Sequence, residues 1–305
     1  MRNKYLFLFV ILILNLIQAR AQSSDELFVS AFTKYQNNDF AGAVDDYTKV
    51  IQQKPDYADA YFNRAIAYEK SENNENALSD YSMVLYLNPK DANAFLNRGI
   101  LYTEMGKDKN ALMDFNNALV NNPALSSTYY QRGLLYQKAG LDSLALKDFS
   151  NFLKFYPQSI NGNYALANLY DDMEEYDAAI KTYTVLIAAD SSYAKAYYNR
   201  AYDYDLVSKT EAALADYSKA IHFDTRYADA YFNRAYIYND MNEFEKAIAD
   251  YSKVIELEPQ GKDAFFNRGI AKINIGRKSA GCTDIGKAAQ LGDAIAKKYY
   301  KVNCK

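Results

Sequence analysis

The prolines of this 305-residue chain stand at one fixed spacing. There are five, and the first four, Pro55, Pro89, Pro123 and Pro157, are each 34 residues apart. The last, Pro259, follows Pro157 by 102 residues, which is three times 34. A fixed period of about 20–50 residues is the signature of a repeat array, in which each unit packs only against its neighbours. We therefore expect a stack of short repeats rather than one central core.

Other residues follow the same register. With proline at position 32, eight repeats run without insertion over residues 24–57, 58–91, 92–125, 126–159, 160–193, 194–227, 228–261 and 262–295. Ala or Gly occupies positions 8 and 20 in all of them. Positions 4, 8 and 11 form one stripe at helical spacing, and positions 20, 24 and 27 form another. Each repeat is predicted to be two closely packed helices, with proline ending the second.

Repeat two shows the pattern clearly, with Tyr61, Ala65, Tyr68, Ala77, Tyr81 and Pro89 at its defining positions. The pattern resembles the tetratricopeptide repeat. It departs from that family at position 4, where Tyr or Phe replaces Trp, and at position 7, where Arg mostly replaces Leu. The resemblance implies an all-α fold, a right-handed superhelical solenoid of eight 34-residue helix-turn-helix repeats with a C-terminal capping helix at residues 293–305.

The N-terminal residues are typical of a secretory signal peptide. Arg2 and Lys4 precede the apolar run Leu6–Ile17, and a small-x-small exit follows at Ala19 and Ala21. We expect cleavage after residue 21, leaving a single solenoid over residues 22–305 in the periplasm or outside the cell. The run is short for a membrane span, so no stable membrane insertion is expected after cleavage. An uncleaved N-terminal anchor is the alternative.

The chain has two cysteines, Cys282 and Cys304, both near its C-terminus. An even number of cysteines in an exported protein favours a disulfide. Such a bridge would join repeat eight to the capping helix and hold the cap in place. Two free, buried thiols are the alternative.

Positions 7 and 23 carry opposite charges. Arg occupies position 7 as Arg64, Arg98, Arg132, Arg200, Arg234 and Arg268. Asp occupies position 23 as Asp46, Asp80, Asp114, Asp148, Asp216, Asp250 and Asp284. Repeat five lacks both, with Leu166 and Thr182 in their places. Pairing within repeats leaves only Asp46 unmatched, so we predict six such pairs. Arginine as a ligand anchor is the alternative.

Position 6 carries a carboxamide in most repeats: Asn63, Asn97, Gln131, Asn199, Asn233 and Asn267, whereas repeat five has Ala165. A carboxamide offers both donors and an acceptor, which suits it to bind the backbone of an extended peptide. Some tetratricopeptide superhelices are known for an asparagine ladder at this position. The resemblance thus implies a peptide-binding role for these residues. The alternative is that they bond neighbouring helices or face water.

Apolar residues accompany this ladder at position 5, and Phe62, Tyr130, Tyr164, Tyr198, Phe232 and Phe266 are the aromatic candidates for peptide binding. Positions 5 and 9 are four residues apart and share one face of the first helix. The alternative for this face is that it packs on the first helix of the next repeat. Positions 12 and 13 lean acidic at Asp171, Asp172, Asp205 and Asp240, which favours neutral or basic ligands.

The composition argues against two classes of function, nucleic-acid binding and catalysis. A net charge of −3 gives no basic surface for nucleic acid, and one His with two Cys offers little for catalysis. No metal spacing, phosphate loop or cofactor motif is present, so we expect neither an enzyme nor a cofactor. The sequence predicts a scaffold of the bacterial envelope that binds an extended protein segment along its concave groove. A glycan-binding module that uses Tyr and Asn is the alternative, although the spread of aromatic residues favours protein.

Overall fold

The computed structural model describes residues 22–304, whose regular structure is entirely helical. The helices are α1 (Ser24–Gln36), α2 (Phe40–Gln53), α3 (Ala58–Lys70), α4 (Asn74–Leu87), α5 (Ala92–Glu104), α6 (Asp108–Asn121), α7 (Ser126–Lys138), α8 (Asp142–Phe155), α9 (Ile160–Asp172), α10 (Tyr176–Ala189), α11 (Ala194–Leu206), α12 (Thr210–Phe223), α13 (Ala228–Asp240), α14 (Phe244–Leu257), α15 (Lys262–Asn274), α16 (Lys278–Gln290) and α17 (Ala294–Asn303). The predicted signal peptide lies outside the described residues.

The helix bounds repeat with the period of the prolines. The first helix of each repeat has 13 residues, and successive first helices begin 34 residues apart, from Ser24 to Lys262. Each pair is joined at position 15 by a residue in the left-handed region, with φ between 57° and 80°. This residue reverses the chain within a short turn. The predicted helix-turn-helix repeats and the C-terminal helix are therefore confirmed.

Small residues let the two helices of a repeat approach closely. In repeat two, Ala65 and Ala77 are fully buried and Tyr81 fills the space beside them. Repeat eight has glycine at both positions, and a Cβ on Gly281 would lie 2.5 Å from the carbonyl oxygen of Gly269. Alanine would clash there, which explains why this pair of helices carries glycine at both contact positions.

The described residues pack into two units. The first ends at Leu135 and holds repeats one to three with most of α7. The second begins at Tyr136 and holds the remaining helices through the cap. Within residues 22–304, no helix combines the length and the apolar character that a membrane span requires.

Five of the predicted Arg–Asp pairs are present, each within its own repeat. In repeat two, Arg64 Nε donates to Asp80 Oδ2 at 2.7 Å and Nη2 donates to Oδ1 at 2.8 Å. The same two-point contact forms in Arg98–Asp114, Arg200–Asp216, Arg234–Asp250 and Arg268–Asp284. The sixth predicted pair, Arg132 with Asp148, stays a prediction.

Each of these arginines also reaches back to the preceding repeat. Arg64 Nη1 donates to Thr48 Oγ1 at 2.9 Å, and the corresponding bonds end on Ser82, Thr184, Ser218 and Ser252. Aromatic rings flank the guanidinium, with the Tyr61 and Tyr68 ring centres 5.6 and 5.7 Å from Arg64 Cζ. One arginine thus joins its own helix to two others.

A lysine at position 11 binds the position-23 aspartate in both terminal repeats, in place of the arginine in repeat one and beside it in repeat eight. Asp46, which has no arginine, accepts hydrogen bonds from Lys34 Nζ at 2.5 Å, Lys49 Nζ at 2.8 Å and Ser30 Oγ at 2.7 Å. Burial alone would raise the pKa of Asp46, but these bonds outweigh it and lower the pKa to about 2. In repeat eight, Lys272 Nζ lies 2.8 Å from Asp284 Oδ2, which Arg268 also binds.

Helix α17 covers the end of repeat eight, as the prediction of a capping helix requires. Asp293 caps its first turn by accepting from the Ala296 backbone N–H at 2.9 Å. The fully buried Ala296 packs with Ile285 of the second helix. The Cα atoms of Cys282 and Cys304 are 5.5 Å apart, and their sulfur atoms are joined as a disulfide.

We expect the Arg–Asp pairs to behave as units. Arg234→Leu leaves Asp250 buried without its partner and should cost about 3–5 kcal/mol of unfolding free energy. The double variant Arg234→Leu/Asp250→Thr copies repeat five and should lose clearly less than either single change. Urea denaturation of Arg234→Leu, Asp250→Thr and the double variant measures the three losses of unfolding free energy. Losses in the double variant that equal the sum of the single losses would contradict the pairing.

We expect the disulfide to stabilise the cap. Reducing it should lower the unfolding free energy by about 3 kcal/mol, because a closed loop of about 22 residues restricts the unfolded chain. Denaturation with and without dithiothreitol measures the effect. The matched control is Cys282→Ser/Cys304→Ser, which should be insensitive to the reductant. Two free thiols in the unreduced, unfolded protein would contradict the bridge.

Candidate functional site

The predicted binding residues lie at positions 5 and 6 of the first helices, and position 9 lies one turn further along. We call positions 5, 6 and 9 the first-helix face. In the first unit the predicted residues are Phe62, Asn63, Asn97, Tyr130 and Gln131, and in the second Tyr164, Tyr198, Asn199, Phe232, Asn233, Phe266 and Asn267. All are half-buried. Each therefore combines an internal contact with some exposure to solvent.

In repeats two, five, six and seven the aromatic ring at position 5 packs on the tyrosine at position 24 of the same repeat, and in repeat eight Phe266 packs on Tyr299 of the cap. The Phe62 and Tyr81 ring centres are 5.6 Å apart, and those of Phe232 and Tyr251 are 5.5 Å apart. Tyr198 additionally stacks on Tyr227 at 4.8 Å. These contacts give position 5 a part in the packing of each repeat.

Position 9 leaves more ring surface in water. The exposed fractions of Phe32, Tyr202 and Tyr236 are 45%, 49% and 50%. Position 6 lies three residues before position 9, so Tyr202 and Tyr236 stand beside the carboxamides of Asn199 and Asn233 on one helix face, whereas repeat one has Val29 at position 6. Sequence reasoning placed positions 5 and 9 on one helix face and selected position 5 as the aromatic binding position, which stays a prediction.

Most of the position-6 amides donate to neighbouring groups. Asn97 Nδ2 donates to Tyr81 of the preceding repeat at 3.4 Å, and Asn199 Nδ2 donates to Tyr183 at 2.9 Å. Asn233 donates to Tyr198 at 3.1 Å, whereas Asn63 donates to a carbonyl of its own helix. Within residues 22–304, no group donates to the side-chain oxygens of these asparagines. The amide nitrogens thus hold helices together while the oxygens remain available to accept.

Repeats five and six form the most polar part of this face. The Tyr183 hydroxyl lies 2.6 Å from both Asp171 Oδ2 and Asn168 Oδ1. The Asn199 amide donates to the Tyr183 hydroxyl at 2.9 Å and to Asn168 Oδ1 at 3.2 Å. Burial and the nearby Asp171 carboxyl raise the pKa of Tyr183, so it stays protonated as a donor.

A cavity of about 470 Å³ opens beside these residues, between the end of α9, the start of α10 and α11. Asp171, Asp172, Glu174 and Asp203 contribute four carboxyl groups to its wall. The rings of Tyr176, Tyr198 and Tyr202 line it as well. No Lys, Arg or His belongs to the lining within the described part of the chain.

Asp203 is the least expected of these residues. It is 1% exposed, and its Oδ2 accepts no hydrogen bond from residues 22–304. The Asp171 carboxyl lies within hydrogen-bonding range of it, so the two groups can share a proton. Burial, followed by the proximity of Asp171, raises the pKa of Asp203 to about 8.

Sequence reasoning missed Asp203, although the repeat register marks it. Asp203 stands at position 10, where the other repeats from two to eight carry Ala67, Leu101, Leu135, Leu169, Ile237 and Ala271. All six of those apolar residues are buried. A carboxyl group at a position that is otherwise apolar and buried is costly unless a partner satisfies it. Comparing position 10 across repeats would have identified the residue.

The raised pKa of Asp203 predicts a pH-dependent stability. The unfolded chain ionises this carboxyl near its ordinary pKa of 3.8, whereas the folded chain keeps the proton until about pH 8. Unfolding therefore releases a proton in that window, and the stability should fall by more than about 1 kcal/mol as the pH rises from about 4 to 8. The raised pKa of Asp171 acts in the same direction.

Denaturation at several pH values measures this fall in stability. Asp203→Leu should reduce the slope, because leucine does not titrate and suits position 10. The matched control Glu245→Gln removes an exposed carboxylate of α14 and should leave the slope unchanged. An unaltered slope in Asp203→Leu would contradict the assignment.

Several segments of the chain match known family models. Family models described as "Tetratricopeptide repeat" match residues 58–91, 228–260, 160–193 and 127–159, and one described as "TPR repeat" matches residues 33–72. No curated protein sequence matches the chain.

Solved structures share the fold. The C-terminal part of a TPR repeat-containing protein from Cytophaga hutchinsonii is 21% identical with a TM-score of 0.69, and the match covers 79% of this chain and 98% of that one. A MamA protein is 25% identical with a TM-score of 0.53, covering 58% and 94%. YrrB, described as a TPR protein with an unusual peptide-binding site, is 18% identical with a TM-score of 0.54, covering 61% and 97%. Together with the family models and the regular helix pairs, these matches show that the chain belongs to the tetratricopeptide repeat family.

Proposed function

We propose that this protein is a non-catalytic interaction scaffold that holds an extended protein segment on its first-helix face. The observation that carries the proposal is a pair of exposed rings at position 9, Tyr202 and Tyr236, which stand beside the position-6 amides of Asn199 and Asn233 with their available oxygens. A ring can cover an apolar side chain of a bound segment, while a carboxamide oxygen can accept from a backbone N–H. The two groups recur 34 residues apart in repeats six and seven, while repeats two, three, four and eight pair the carboxamide with Ile or Leu at position 9.

The comparisons support the general part of this proposal. Tetratricopeptide repeat proteins are generally scaffolds without catalytic activity, and the YrrB structure is described as having a peptide-binding site. Three of the six position-6 carboxamides, those of Asn97, Asn199 and Asn233, donate to a tyrosine of the preceding repeat. A bound segment therefore meets amides that are already oriented. Amides held by a tyrosine lose little freedom on binding.

We also propose that the protein acts in the bacterial envelope, in the periplasm or after secretion. Residues 1–21 carry the charge and apolar pattern of a signal peptide. The disulfide between Cys282 and Cys304 favours an oxidising compartment.

Selection from a displayed library of random peptides tests the proposed groove. The affinities of selected peptides are then measured by calorimetry for the wild type and for a variant with Asn63, Asn97, Asn199, Asn233 and Asn267 all changed to Ala. We expect the variant to bind at least about tenfold more weakly, since several hydrogen bonds to the peptide backbone are lost.

The matched control is Tyr81→Phe/Tyr183→Phe/Tyr198→Phe. It removes the same hydrogen bonds between helices but keeps every amide and every ring, so it should lose clearly less affinity than the alanine variant. Equal losses in both variants would assign the asparagines a structural role and contradict the ladder. Binding of peptidoglycan fragments, with no peptide selected, would favour the glycan-binding alternative. Circular dichroism confirms that each variant is folded.

A further inference from the structure

We propose that the cavity of repeats five and six binds a lysine or arginine side chain of the held protein segment, with Asp203 as its counter-charge. This inference rests on the proposed function, because it specifies which kind of side chain the segment presents. The cavity is formed by the end of α9, the start of α10 and the middle of α11, all within the second unit.

The charge of the cavity favours a cation. Asp171, Asp172, Glu174 and Asp203 line it, and within residues 22–304 no basic side chain does. The buried aspartates at position 23 of repeats one, two, three, six, seven and eight are neutralised by an arginine or lysine of the chain itself, as Asp216 is by Arg200 at 2.6 Å. The aspartates of this cavity receive no such partner from the lining residues. A ligand that carries positive charge would supply it.

The position of Asp203 indicates a built site rather than an acidic surface. Its side chain lines the cavity while being 1% exposed, and its Oδ2 has no donor in the described chain. Asp171 Oδ1 also lacks a donor there. An incoming ammonium or guanidinium group carries several N–H donors, so it can bond both oxygens and displace the proton that the carboxyl groups share.

The remaining lining suits an organic cation. Tyr176, Tyr198 and Tyr202 present rings to the cavity, and Tyr202 is 49% exposed at its mouth. Aromatic rings attract ammonium and guanidinium groups and cover the methylene chain behind them. The described residues hold no group of three or more His, Cys, Asp or Glu side chains arranged to bind a metal ion. A volume of about 470 Å³ accommodates a long side chain.

Short peptides that differ in one side chain test this inference. The probes are acetylated, amidated Ala-Lys-Ala and Ala-Arg-Ala, compared with Ala-norleucine-Ala, which has a similar length and no charge. Each is titrated into the isotope-labelled protein, and the amide signals of α9 and α11 are followed by NMR. We expect the two basic peptides to bind at least about tenfold more tightly than the norleucine peptide, and to perturb signals around Asp203.

Two variants locate the effect. Asp203→Leu should weaken the basic peptides by at least about tenfold, leaving them no tighter than norleucine. Asp203→Leu should also fold, because the other repeats from two to eight carry apolar residues at this position. Asp203→Asn provides a second variant, which removes the charge and keeps the shape of the side chain. The control Glu245→Gln alters the net charge equally but lies on the exposed surface of α14, outside the cavity, so it should not change the affinity.

Several outcomes would overturn the inference. Equal binding of the norleucine and lysine peptides would show that the cavity responds to apolar bulk alone. The absence of binding by either basic peptide would reject the site, as would wild-type affinity in Asp203→Leu. Each of these results leaves the library selection free to succeed, so failure of the cation site is distinguishable from failure of the peptide-binding scaffold. If the library yields only peptides without Lys or Arg, the scaffold stands and the cation site is rejected.

Discussion

The structure depends on a buried guanidinium group that connects three helices in most repeats. Apolar stripes bring two helices together, but they tolerate small shifts because burial has no direction. The two-point contact of Arg64 with Asp80 does have a direction, since a planar fork meets a planar carboxylate. The bond from Arg64 to Thr48 extends that constraint to the preceding repeat. In repeats two, three, six, seven and eight the first helix is thus tied both to its own second helix and to the second helix before it.

Repeats five and six depart from the register together, and the candidate site lies there. Leu166 and Thr182 replace the Arg–Asp pair, and Asp203 enters a position that is apolar in the neighbouring repeats. Burying a carboxyl group beside another costs stability, which the raised pKa of Asp203 reflects. Departures of this kind from local packing rules are expected where a protein binds something. The same departure therefore generates both the pH dependence of stability and the cation site.

Much of the fold could be predicted, because each repeat obeys rules that act over short distances. Proline spacing, small residues at positions 8 and 20, and paired charges at positions 7 and 23 sufficed for the helix pairs and for five of the six Arg–Asp contacts. Asp46 was left unmatched in that scheme, yet Lys34 from position 11 binds it. The candidate site was harder to predict. Whether the Asn199 amide contacts a tyrosine hydroxyl or solvent depends on a residue 16 positions away.

The sequence by itself determined the period, the helix pairs and the charges that join them, because residue size, proline and charge act at fixed distances along the chain. Only the tertiary structure decided which side chains of the first-helix face remain exposed and which carboxyl groups lose their water. Phe62 and Tyr202 look equally suitable in sequence, but one packs on Tyr81 and the other stands half in solvent. Exposure and desolvation are set by all neighbours in space, and those neighbours come from repeats that are separate in the chain.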